Sequence, residues 1–128
     1  MKITDEWTKV NKNWGWEFAP ISDDAKCVKL LFCENNIWSS DGLYHMHLEK
    51  DESFVVVWGE LDLDIDGRVY RLKPGDRPLR VKPLTPHRFR SDFCQFLEGS
   101  TPDSPEDTVR GTLEDLRNWS GLNRQAAH

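Results

Sequence analysis

Residues 44–60 read YHMHLEKDESFVVVWGE, and the reading of this stretch decides that of the chain. His45 and His47 stand one residue apart in a segment of strand-forming composition, and side chains at i and i+2 of a strand share a face. The two imidazoles therefore point the same way. Glu52 follows His47 by five positions, an odd separation that puts it on the opposite face of a straight strand. It joins the histidines only if LEKD (48–51) bends the chain and Glu52 opens a second strand crossing back beside the first. Phe54, Val56 and Trp58 then share its face, and Gly59 turns the chain. Two imidazoles and a carboxylate that converge are the raw material of a metal site.

Downstream, ELDLDIDGRVYRL (60–72) alternates Leu61, Leu63 and Ile65 with Asp62, Asp64 and Asp66, the pattern of a half-buried strand. Asp66-Gly67 favours a tight hairpin turn, which sets Leu61 opposite Leu72, Leu63 opposite Tyr70 and Asp62 opposite Arg71. KPGD (73–76) is a further turn, LRV (79–81) a short strand, and HRFRS (87–91) and CQFLE (94–98) supply two more. Upstream, CVKLLFC (27–33) is an apolar strand stopped by ENN (34–36). Helix is expected only near the end, where Thr112 can cap LEDLRNW (113–119), with Leu113, Leu116 and Trp119 on one stripe. STPDSPED (100–107) is expected to be no more than an ordered turn. Short strands with regular turn punctuation point to an all-β sandwich or small barrel.

The 128 residues suit one domain, with 1–20 packed against a barrel core of 21–99 and a C-terminal loop and short helix over 100–128. No apolar run approaches the roughly 20 residues of a membrane span. MKITDEWTKV (1–10) lacks the apolar centre of a secretory signal. The three cysteines, Cys27, Cys33 and Cys94, form no CxxC pair, which fits buried thiols in a reducing, cytoplasmic setting. A net charge of −5 argues against general binding to nucleic acid or an anionic membrane, so an anionic ligand must be met by a local group of arginines. Six tryptophans and exposed edge strands point to a homodimer.

A third imidazole, His87, follows Pro86 in VKPLTPHRFRS (81–91). Together His45, His47, Glu52 and His87 suit one divalent first-row ion with open positions for substrate; zinc, manganese, iron and nickel are not separated by these donors. His128, at the C-terminus, is given no role.

At this point the sequence resembles the cupin superfamily. The first cupin motif is a His-x-His pair, three or four residues, a Glu, then six residues and a Gly; His45, His47, Glu52 and Gly59 meet each spacing. The second motif, a Pro/Gly-rich approach to one His, looks like PGDRPLRVKPLTPH (74–87). Ser39 stands where a Gly is usual and Ser91 where an Asn is frequent, and neither is a ligand. The resemblance implies a double-stranded β-helix barrel around one metal. WGWE (14–17), CVKLLF (27–32) and FLEGSTPDSPEDTVR (96–110) further resemble small cupins related to sugar and sugar-phosphate isomerases.

An aldose–ketose isomerase needs a Lewis acid on the carbonyl and a group that moves the α-proton. Lys29, which breaks an apolar strand, is the leading candidate for that group, on the expectation that burial near a cation depresses its pKa. Glu98, which interrupts CQFLEGS, is the next. An anionic substrate group has Arg88, Arg90 and Arg110 available. Arg88 and Arg90 share a face beside His87, inward or outward together, and Arg110 has an alternative as an ion-paired clasp with Glu106 and Asp107. Trp14, Trp16 and Trp58 serve either the core or stacking on a sugar. Three functions stay open: a metal-dependent isomerase or epimerase of a small polyhydroxylated substrate, an Fe(II) cupin oxygenase, and a non-catalytic metal-binding or ligand-sensing module.

Overall fold

A computed structural model describes residues 9–126; the first eight residues of the expected N-terminal segment and His128 lie outside the described residues. The strands are β1 (Val10–Lys12), β2 (Gly15–Ser22), β3 (Cys27–Glu34), β4 (Tyr44–His47), β5 (Glu52–Gly59), β6 (Leu61–Ile65), β7 (Arg68–Leu72), β8 (Leu79–Val81), β9 (His87–Arg90), β10 (Phe93–Ser100) and β11 (Thr108–Gly111). One helix, α1 (Leu113–Ala126), follows. Two antiparallel sheets face each other, one ordered β1-β2-β3-β10-β5-β8 and the other β11-β4-β9-β6-β7. No helix among the described residues is long and apolar enough to cross a membrane.

The hairpin forms in the expected register, with Leu61 opposite Leu72, Leu63 opposite Tyr70 and Asp62 opposite Arg71. Asp66 and Gly67 both have positive φ, 52° and 91°, which a type I′ turn requires. The alternating leucines enter the core: Leu61 and Leu63 are fully buried and pack with Phe54, Val81, Phe89 and Phe96 between the sheets. Each such side chain contributes about 1.5–3 kcal/mol relative to exposure.

Two regions differ from the reading of the sequence. Within the segment 1–20, expected only to pack on the barrel, residues 10–12 and 15–20 belong to strands β1 and β2 of the larger sheet, with β2 paired to β3. Trp58 does not share the inner face with Glu52, Phe54 and Val56. The pairing of β5 with β10 shifts register, Phe96 opposing Val56 while Gln95 opposes Trp58, so Val57 is the extra residue of a β-bulge. The bulge turns Trp58 to the outer face, where its ring packs at a tilt against Phe93 and its indole N–H donates to Gln95 Oε1 at 2.9 Å. Gly59 then passes the β10 backbone so closely that a Cβ would sit 2.3 Å from the Phe93 carbonyl oxygen.

The segment after β10 is more ordered than a simple turn. It contains a 3-10 turn, Pro105–Asp107, and then β11, which pairs with β4. α1 begins where Thr112 Oγ1 accepts the Asp115 backbone N–H at 3.1 Å, and Leu113, Leu116 and Trp119 pack on Tyr44, Met46 and Val109.

Candidate metal centre and its pocket

The alternation of β4 is settled by what covers each face. Tyr44 and Met46 lie under α1, which leaves His45 and His47 facing the space between the sheets. Glu52 enters from the opposite sheet at the start of β5, after the expected bend at 48–51. His87 opens β9 directly across from His45. One ligand atom from each of His45, His47, Glu52 and His87 lies within 4.8 Å of all the others. Sequence spacing identified this quartet, and the fold brings it together.

Each imidazole has one nitrogen already held. His87 Nδ1 donates to the Thr85 carbonyl at 2.8 Å, while Nδ1 of His47 is 3.2 Å from the Thr108 hydroxyl and Nδ1 of His45 is 3.4 Å from that of Ser40. Such contacts fix ring orientation and tautomer and leave the other nitrogen for a ligand. Ser40 and Asp41 carry positive φ of 57° and 54°, a conformation costly for non-glycine residues and held here beside His45.

The centre of the quartet has unmet bonding capacity. Both Glu52 carboxylate oxygens and His87 Nε2 are buried and make no hydrogen bond, although His87 Nε2 lies against Glu52 Oε1. A buried carboxylate with no hydrogen bond, its nearest ammonium being Lys50 at 3.6 Å, is costly, and a cation at this point lowers the cost. Three imidazoles and one carboxylate are also a donor set for first-row divalent ions. The residues therefore fit such an ion. Burial and the neighbouring His87 hold the His45 imidazolium pKa well below its ordinary value, so that ring is neutral, as a ligand must be. Burial raises the Glu52 carboxyl, but His87 and His47 outweigh it and keep the group well below the usual carboxylate range.

The quartet meets, through His45 and His47, a cavity of about 570 Å³ whose lining also includes Lys29, Lys50, Glu98 and Arg110, while Glu52 and His87 lie buried behind it. Lys29 shares the inner face of β3 with Leu31 and Cys33, while Phe32 turns outward and stacks on Trp16. Glu98 stands directly opposite Lys29 on β10. Both proton-transfer candidates thus reach the cavity, but the expectation for Lys29 fails. Burial pulls its pKa down, yet Glu98, Glu17 and Asp103 outweigh that pull and the net shift is upward. Glu98 is displaced in the useful direction. Burial and the adjacent Glu52 push its carboxyl up to about 7 against the pull of Lys50 and Lys29.

Lys50 is the residue that the sequence concealed. It is 3% exposed, and its ammonium lies 3.2 Å from Glu98 Oε2, 3.0 Å from Asp103 Oδ1 and 3.6 Å from Glu52 Oε2. Within LEKD it looks like one charge of a solvated turn, and no local pattern marks it. Asp103, which also holds Lys29 at 3.2 Å, was equally hidden in a loop.

The arginines divide. Arg88 and Arg90 lie on the outer face of β9, opposite Asp64 and Asp62 of β6, because the inner positions belong to His87 and Phe89. Arg88 is bonded to Asp64 at 3.0 Å and sits over the rings of Trp38 and Tyr44, and Arg90 pairs with Asp62 at 3.4 Å. Neither lines the cavity; Arg110 does. The two departures from the cupin pattern carry backbone contacts instead: Ser39 Oγ accepts the Phe89 N–H at 3.0 Å, and the Ser91 hydroxyl donates to the Glu60 carbonyl at 2.6 Å.

No family model matches the chain, and no curated protein matches it in sequence. Solved structures do. PAC13 of Streptomyces, described as a unique nucleoside dehydratase and solved with uridine, superposes with a TM-score of 0.73 at 14% identity, over 88% of this chain and 89% of its own. KdgF from Halomonas sp. gives 0.68 at 16% identity, over 83% and 94%. The capsular polysaccharide assembling protein CapF from Staphylococcus aureus gives 0.68 at 17% identity, covering 85% of this chain and 33% of CapF. These are cupin-fold proteins. The chain has the cupin fold.

Proposed function

We propose that this protein is a divalent-metal enzyme that moves a proton at a carbon beside a carbonyl or hydroxyl of a small polyhydroxylated molecule, as sugar isomerases and epimerases do. The observation that carries the reading is one cavity lined by His45 and His47 of the ligand quartet together with Lys29, Glu98 and Lys50. A bound ion supplies Lewis-acid polarisation of the substrate oxygens. Glu98 takes the proton from one carbon and returns it to the same carbon or its neighbour. Lys50 holds the Glu98 carboxylate in place, and Lys29, opposite Glu98, meets the substrate hydroxyl. Trp14, Leu31 and Phe89 form the apolar part of the cavity and limit access of water to the exchanging proton. The three cysteines, all unpaired and buried, support a reducing, cytoplasmic setting.

The test is deuterium wash-in at the α-carbon of candidate aldoses, their phosphates and nucleosides, with metal-replete protein and Glu98→Gln and Lys29→Met as controls. Exchange abolished by Glu98→Gln supports the reading. No exchange with any candidate at full metal content rejects it, and oxygen uptake by iron-loaded protein moves the assignment to an oxygenase. A second reading, loss of water after the same proton abstraction, is favoured by the likeness to PAC13; product mass distinguishes it from isomerisation.

A further inference from the structure

We infer that the substrate carries an anionic oxygen group, carboxylate or phosphate, and that Arg110 receives it. The inference rests on the proposed enzymatic reading of the site but concerns a different part of the ligand. In the β11–β4 ladder Arg110 is directly opposite His45, so both side chains are on the face that bounds the cavity, and both line it. The alternative partners of Arg110 are already taken. Asp107 accepts the backbone N–H groups of Glu49 and Lys50 at 2.9 Å each, and Glu106 accepts the Ser104 hydroxyl at 2.7 Å. The clasp with Glu106 and Asp107, the alternative role read for Arg110 in the sequence, does not form.

Among the described residues Arg71, Arg80, Arg88, Arg90 and Arg117 each hold a carboxylate, whereas Arg68, Arg77 and Arg110 do not, and of those three Arg110 alone lines the cavity. Inside the cavity the two lysines are held, Lys29 by Asp103 and Lys50 by Glu98, and the Asn13 amide donates to Asp41 at 3.1 Å without neutralising it. Glu17, near Lys29, adds negative charge on the larger sheet. Arg110 is left on the wall of the smaller sheet, with Lys12 across the cavity on β1. A guanidinium offers a fork of donors that matches the two oxygens of a carboxylate or phosphate. Its place beside His45 puts that anion next to the quartet, on the smaller-sheet side of a substrate whose proton is moved by Glu98 on the larger sheet.

The test is calorimetric binding to the zinc-loaded full chain of three probes that share one ring: glucose, glucuronate and glucose 6-phosphate. At least one anionic probe should bind about ten- to a hundred-fold more tightly than glucose, as expected for one charge-assisted contact. Which one does so separates carboxylate from phosphate. Arg110→Gln should erase the preference, Arg110→Lys should keep part of it, and Arg77→Gln, at an exposed turn outside the cavity, should leave it intact. Equal or absent binding of the three probes overturns the inference, as does a preference that survives Arg110→Gln in protein of unchanged melting temperature. Binding is read without turnover. Anion preference without proton exchange therefore rejects the proposed reaction alone, and exchange without anion preference rejects the role of Arg110 alone.

Discussion

At the scale of single residues, the site combines ligands that announce themselves with supports that do not. His45, His47, Glu52 and His87 are legible because their types are rare in strands and their spacing has one sensible geometry. Lys50 and Asp103 are not, since a lysine and an aspartate in polar loops are ordinary until the fold buries them against Glu98. Lys50→Met should show how much rests on that burial. Glu98, Glu52 and Asp103 lose their shared cation, and removal of one partner from a buried charge group costs about 3–5 kcal/mol; chemical denaturation measures it. Thr108→Val removes the contact to His47 Nδ1 but no ligand, and should lower metal affinity about 10–100-fold. His47→Ala should lower metal content and melting temperature together, because an ion that binds only the folded state stabilises it. All four donors must be deprotonated to bind, so occupancy should fall as pH drops through the imidazole range, which metal release on acid titration would record.

Among the elements, the β6–β7 hairpin is readable because alternation, turn residues and cross-strand pairs agree. β11 is not: TVRG follows a segment rich in proline and acid, and it becomes a strand only because β4 offers an open edge. The bulge at Val57 is hidden for a related reason. A run of three valines fits either face of a strand, so only the partner strand decides where the alternation slips. Gly59, at the end of that run, has positive φ and no room for a side chain beside Phe93. Gly59→Ala should therefore destabilise the protein by about 1–3 kcal/mol or more, the ordinary range for a strained backbone position. The thermal midpoint should drop even in metal-free protein, since the change does not touch a ligand.

For the whole molecule, the outer face of the larger sheet carries Trp16, Phe32, Trp58 and Phe93 in mutual contact, with Phe93 53% exposed. An aromatic surface of this kind is what a second copy would cover, and a homodimer is the expected state. Light scattering should give twice the 14.9 kDa of one chain, and Phe93→Glu should return the monomer mass; a wild-type monomer at micromolar concentration would count against it.

The division of the quartet between the sheets, three imidazoles from one and Glu52 from the other, also fixes when the site comes into being. Its donors span residues 45–87 and come from both sheets, so they should meet only once the sheets have closed on their apolar filling, with the folding barrier already passed. Metal should consequently leave the refolding rate nearly unchanged and slow unfolding, with the added stability appearing almost wholly in that one limb of the kinetics. For a cell, metal supply then sets how long each folded molecule lasts, not how quickly it is made.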